Sequence, residues 1–174
     1  WANEVKDFLF QNHRDCELYH ASSVLEFKDL INNKKFDLVL FIGWSWIIPS
    51  AFIEKNICVC FHPSDLPQYR GGSPIQNQII DGVTKSSMTA FRMNEKVDAG
   101  PIYGKQEISL EGNLKDVLED IREASKILAD RLIGDWKKDR LSFHPQDENN
   151  VLNCSRRDPK QSEITVSDIL SCTS

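Results

Sequence analysis

The sequence predicts an α/β fold, a mostly parallel sheet with flanking helices. Two apolar strands bracketing a short helix and one long amphipathic helix carry that expectation. Residues 36–42 read Phe-Asp-Leu-Val-Leu-Phe-Ile, and residues 57–61 read Ile-Cys-Val-Cys-Phe. Short, nearly continuous apolar runs mark strands covered on both faces. Residues 49–55 between them are long enough for one or two helical turns. Strand, helix, strand implies a right-handed crossover and parallel pairing. In residues 114–133, Leu114, Val117, Leu118, Ile121, Ala124, Leu128 and Leu132 form one apolar stripe with charged residues elsewhere, the pattern of a helix with one buried face.

The remaining elements follow in chain order. Val5, Phe8 and Leu9 stand at helical spacing and predict a helix over residues 1–11. Residues 16–20 read as a short strand. Residues 25–31 read as a second helix, ending at the turn-prone pair Asn32-Asn33. Ser73-Pro74 opens a helix with apolar Ile75, Ile79 and Ile80, Pro being favoured in a first turn. Residues 88–93 and 102–108 read as strands joined by the turn at 96–101. The tail from Ser142 is polar and loop-like, with short order expected around residues 164–170. The whole chain, 1–174, reads as a single domain.

Composition narrows the classes. The chain has 174 residues, of which 40% are hydrophobic and 27% charged, which excludes a disordered chain. Its 21 Lys and Arg stand against 26 Asp and Glu, a net charge of -5. An acidic chain argues against general nucleic-acid binding. No run approaches the roughly 20 apolar residues of a membrane helix, so no membrane partner is expected. No secretory signal is visible. The five cysteines are odd in number and scattered. Cys58-Val59-Cys60 is too tight for a zinc knuckle, so they read as reduced thiols of a cytoplasmic protein with no metal.

Residues 61–82, FHPSDLPQYRGGSPIQNQIIDG, bear the chemistry. His62 stands where a buried strand ends, the side on which open α/β sheets bind ligands, and its imidazole exchanges protons near neutral pH. Gly71-Gly72 lets a backbone come close to a ligand. Arg70 offers a bidentate charge, and the helix start near Ser73 offers free N–H groups to an anion.

The run from Cys60 to Gly71 resembles the signature of the 10-formyltetrahydrofolate-dependent formyltransferases, roughly Asn-x-His-x-Ser-x-Leu-Pro-x-x-Arg-Gly. Asp98-Ala99-Gly100-Pro101 resembles that family's Asp-x-Gly-Pro turn, and it lies 36 residues after His62, the family's spacing. The resemblance implies a Rossmann-like formyltransferase fold. It also implies transfer of a formyl group from 10-formyltetrahydrofolate to an amine, with His62 and Asp98 catalytic. Cys60 occupies the position of the family's Asn, which helps hold the developing oxyanion; Asn77 is a candidate substitute. By position, Trp44, Ser45, Trp46 and Ile47 are expected to contact the folate pterin, and Asn94 and Val97 to close over it. Ser64, Arg70, Gly71, Gly72 and Gln76 are expected to face the amine substrate. The family opens with a buried strand before its first helix, and this chain starts within the helix, so the first strand is expected to be missing.

Residues 44–49 and 72–77 resemble those of bacterial sugar-nucleotide N-formyltransferases, as does the Arg156-Arg157 tail. The expected acceptor is therefore a nucleotide-linked amino-deoxy sugar, a small-molecule partner in surface polysaccharide biosynthesis. A methionyl-tRNA formyltransferase is disfavoured, because that family carries a further basic domain and this acidic chain ends early. Another small amine such as a purine precursor, or a catalytically inactive folate- or nucleotide-binding relative, stays open. The resemblance also allows a homodimer.

Overall fold

In the computed structural model residues 1–162 are described. The tail order expected around 164–170 lies outside them. Five helices form: α1 (Ala2–Asn12), α2 (Val24–Asn33), α3 (Ser50–Lys55), α4 (Pro74–Ile80) and α5 (Leu114–Lys137). The strands are β1 (Val39–Ile42), β2 (Cys58–His62), β3 (Arg70–Gly71), β4 (Lys85–Arg92), β5 (Ile102–Ser109) and β6 (Asn153–Cys154). Each lies within a few residues of its sequence expectation, apart from β3 and β6. Residues 16–20 form no strand. Tyr19 instead packs edge-on against Phe36 and sits under the Lys34 ammonium, and among the described residues no strand pairs with that segment.

The main sheet runs β1-β2-β4-β5. The crossover through α3 makes β1 and β2 parallel, as expected. β4 is antiparallel to β2, and β5 to β4, so among the described residues the sheet is mixed rather than mostly parallel. The cause is local: β4 and β5 are joined by a short turn, which can only reverse the chain.

Helices cover both faces. Val59 and Phe61 of β2, Met88 and Ala90 of β4 and Ile108 of β5 bury one face against Val5 and Leu9 of α1 and the α5 stripe. Leu128 and Leu132 are fully buried there. On the other face Phe41 and Cys58 pack with Phe27 of α2, Phe52 and Ile53 of α3, and Trp44. Side chains alternate along β2, so Cys58, Cys60 and His62 share this second face. Among the described residues no helix is long and apolar enough to cross a membrane.

Candidate active site

The site forms at the carboxyl end of β2. His62 is the last residue of that strand and only 6% exposed. Its Nδ1 lies 3.5 Å from Asp98 Oδ2, so the 36-residue spacing does close in space. Its Nε2 lies 2.8 Å from the Tyr69 carbonyl oxygen. A carbonyl accepts and never donates, which assigns the hydrogen to Nε2 and leaves Nδ1 facing the carboxylate.

Asp98 comes from the β4–β5 turn, where its backbone adopts a left-handed φ of 51°. Asp tolerates that region better than most residues. Its Oδ2 also accepts from the Gly71 N–H at 2.9 Å, and no protein group among the described residues bonds its Oδ1. One carboxylate oxygen is thus held by the protein and the other carries no protein hydrogen bond among the described residues.

Cys60 lies two residues before His62 on the same face. Burial, helped by the Asp98 carboxylate, pushes its thiol up to about 12. The group at the family's Asn position is therefore a neutral S–H, a weak donor.

Several expected ligand residues are engaged by the protein itself. Arg70 is 6% exposed. Its Nε and Nη2 donate to Gln146 Oε1 at 3.0 and 2.8 Å, and Nη2 also donates to Glu148 Oε1 at 2.8 Å. A guanidinium so occupied is structural and does not face a substrate. It holds the Glu148 carboxyl below the usual carboxylate range. Ser64 is fully buried, its hydroxyl donating to the Gln68 carbonyl. Asn77 Nδ2 is spent on the carbonyls of Gly72, Ser73 and Ser155, so it supplies no substitute for the missing Asn.

Gly71 and Gly72 do permit a close approach, but by the tail. Strand β6 pairs parallel with β3. A Cβ on Gly71 would run into the Cys154 carbonyl, and one on Gly72 would lie 2.7 Å from the Arg156 backbone. The start of α4 is covered in the same way: Ser73 Oγ accepts from the Arg157 N–H. Gln76 is exposed and free to meet a ligand.

The expected folate loop is partly open. Trp46 is 50% and Ile47 97% exposed, and Ser45 is exposed beside them. Trp44 packs on Phe27, Phe41 and Trp46. Its buried indole N–H has no partner among the described residues. Asn94 Oδ1 accepts from the Lys96 N–H, while Val97 is largely exposed.

Sequence reasoning missed Gln146, buried at 8% exposure in a tail read as loop. Its Nε2 donates to the carbonyls of Asp98 and Gly100 at 2.9 and 2.7 Å. It also missed Gln78, whose amide spans Pro63, Pro74 and Ser86. Neither residue carries a sequence signal: Gln146 stands between Pro145 and Asp147, and Gln78 between Asn77 and Ile79.

The chain is similar to known proteins along most of its length. The methionyl-tRNA formyltransferase of Rickettsia rickettsii is 36% identical over 110 residues, 62% of this chain and 36% of the relative. That of Rickettsia typhi is 41% identical over 85 residues, 48% of this chain and 28% of the relative. The chain thus spans about a third of the length of the curated relatives it matches. Among solved structures, a methionyl-tRNA formyltransferase from Clostridium thermocellum superposes with a TM-score of 0.75 at 31% identity, over 98% of this chain and 74% of that one. A likely sugar N-formyltransferase from Mycobacterium tuberculosis gives 0.69 at 21% identity, over 97% and 79%; at that identity the likeness is one of fold. The formyl transferase family model matches residues 11–128, more than half of the chain and both site motifs, and the chain belongs to that family.

Proposed function

We propose that this chain moves the formyl group of 10-formyltetrahydrofolate onto a primary amine, and that this amine is the α-amino group of methionyl-tRNA. The observation that carries the reading is the Asp98 carboxylate set between the His62 ring and the Gly71 amide, at the positions of the family's motifs.

The folate supplies a formyl group on a nitrogen able to leave. The residues present suit such a ligand: Trp46 and Ile47 offer apolar surface beside the unpartnered Trp44 N–H, which a heteroaromatic acceptor would satisfy. As the amine forms its bond to the formyl carbon, the carbonyl pair moves onto oxygen. Asp98 takes the amine proton on its free Oδ1. As the oxygen pair re-forms the carbonyl, the old C–N bond breaks with its electrons going to the folate nitrogen, which takes up the proton from Oδ1. His62, its Nδ1 3.5 Å from Asp98 Oδ2 and its Nε2 anchored on the Tyr69 carbonyl, orients the carboxylate. No covalent enzyme adduct is required. Holding both reactants against this pair supplies much of the acceleration. The reaction belongs in the cytoplasm, where charged tRNA is found.

The acceptor departs from the amino sugar expected from the sequence. The relatives at 31–41% identity are methionyl-tRNA formyltransferases. Of the residues that carried the sugar resemblance, Gly72 packs against Arg156, and Asn77 bonds the Gly72 and Ser155 carbonyls. Because the chain spans about a third of those relatives, where it begins and ends decides neither acceptor.

The test offers labelled 10-formyltetrahydrofolate to the full-length protein with methionyl-tRNA, and separately with a panel of nucleotide amino sugars. Label is expected in the tRNA fraction, and Asp98→Asn is expected to slow its arrival by about 100-fold or more, the scale of a general acid–base group. Label on a sugar and not on tRNA overturns the acceptor. Label on no amine overturns the transferase reading.

A further inference from the structure

We infer that Gln146 is a positioning residue for the His62–Asp98 pair, a buried amide that locks the Asp98 turn to the Arg70 loop. Its kinetic consequence rests on the formyl-transfer reading above; its geometric consequence does not.

Each member of the pair leans on one loop. His62 is held by the Tyr69 carbonyl and Asp98 by the Gly71 N–H, so residues 69–71 touch both. That loop and the 98–100 turn come from distant parts of the chain, and Asp98 sits in a left-handed conformation that favours glycine. The turn is fixed at its far end, where Gly100 lies against the Arg92 carbonyl with no room for a Cβ. At its near end Gln146 Nε2 takes the carbonyls of Asp98 and Gly100, while Gln146 Oε1 takes two donors of Arg70. One side chain closes the ring His62, Tyr69, Arg70, Gln146, Asp98.

Its chemistry is not interchangeable. The carbonyls accept only and the guanidinium donates only, so the amide has one orientation, and all four bonds are made in a buried place. A carboxylate of the same shape would face two carbonyl oxygens without a proton to offer. An apolar isostere would leave Arg70, Asp98 and Gly100 unsatisfied. Glu148, exposed at the rim, braces Arg70 from outside and makes this bolt the inner of two.

The decisive variants are Gln146→Glu and Gln146→Leu in the full-length protein. With wild-type transfer established, kcat is expected to fall by about 10- to 100-fold, KM for folate and amine to stay within about threefold, and the pH profile of kcat to change shape. Independently of activity, the His62 ring-nitrogen NMR signals are expected to move toward those of Asp98→Asn. Wild-type kcat in a folded variant overturns the inference. So does a lost kcat with an unmoved pH profile and unmoved His62 signals, which marks Gln146 as merely structural. Should both variants fail to fold, Glu148→Gln weakens the same ring from the solvent side. It is expected to lower kcat by about threefold at constant KM, and no change in kcat or in the His62 signals overturns the inference. An inactive wild type sinks the transferase reading but leaves the His62 signals to judge Gln146.

Discussion

At the scale of single residues, Cys60 departs most clearly from the family pattern. It stands where the resemblance implies an Asn, and its thiol is neutral at any physiological pH. Oxyanion donors of the amide type contribute about 100- to 1000-fold in rate where they have been removed singly. Cys60→Asn is therefore expected to raise kcat by about tenfold or more at unchanged KM, read by steady-state transfer; an unchanged or lower kcat means the site does not use that position. The thiols make a second prediction. Burial pushes both Cys58 and Cys60 up to about 12, whereas an unfolded chain releases those protons near an ordinary thiol pKa of about 8.5. The folded state then holds protons that the unfolded state has lost, so stability falls as pH climbs from about 9 toward 12. Melting temperature measured across that window is expected to decline, and Cys58→Ala with Cys60→Ala to flatten the decline. A wild-type melting curve that is already flat refutes the assignment.

At the scale of elements, the motif region and the tail behave as one unit. Its first half is legible in the sequence: the strand end at His62, the 96–101 turn and the Pro-opened α4 follow from local rules, and the pairing of Asp98 with His62 from the family resemblance. Its second half is not. Residues 153–154 make a strand only because β3 presents an edge to them, a long-range fact with no local periodicity behind it. The same cause engages Gly71, Gly72, Arg70 and Asn77 with the tail, where the sequence leads one to expect a ligand. A ligand loop and a loop that receives another backbone use the same residue types. The distinction is testable with alanine. Gly72→Ala forces a methyl into the Arg156 backbone, and overpacking of that kind costs about 1–3 kcal/mol. Limited proteolysis is expected to cut the 152–158 segment in Gly72→Ala well before wild type. Gly82→Ala is the control: its φ is 75° but nothing lies within 4 Å, so it carries backbone strain alone and is expected to leave the tail protected. Equal cleavage of the two variants refutes the docking role.

At the scale of the whole molecule, the sheet separates two cores with different duties. The face against α1 and α5 was readable in advance, because the α5 stripe repeats at helical spacing and the β2 and β4 residues alternate toward it. The mixed strand direction was less so, since an apolar strand looks the same whichever way its neighbour runs. The second face is smaller and aromatic, and it reaches the proposed folate loop at Trp44, whose ring lies on Phe27 and Phe41. That division predicts two kinds of damage. Leu128→Ala hollows the first core, at a cost of about 2–5 kcal/mol. Each kcal/mol lowers the melting temperature by about 2–4 °C in a chain of this size. The His62 and Trp44 surroundings stay intact, so KM for the folate is expected to hold while the protein remains folded. Phe27→Ala removes the ring on which Trp44 rests. It is expected to destabilise the chain too, by about 3–5 kcal/mol, but also to raise the folate KM several-fold at temperatures where both variants are fully folded. Steady-state kinetics against folate concentration, run well below both melting points, separates the cases. A folate KM that moves equally in the two variants would mean that the sheet transmits packing across both faces, and that the second core has no special tie to the site.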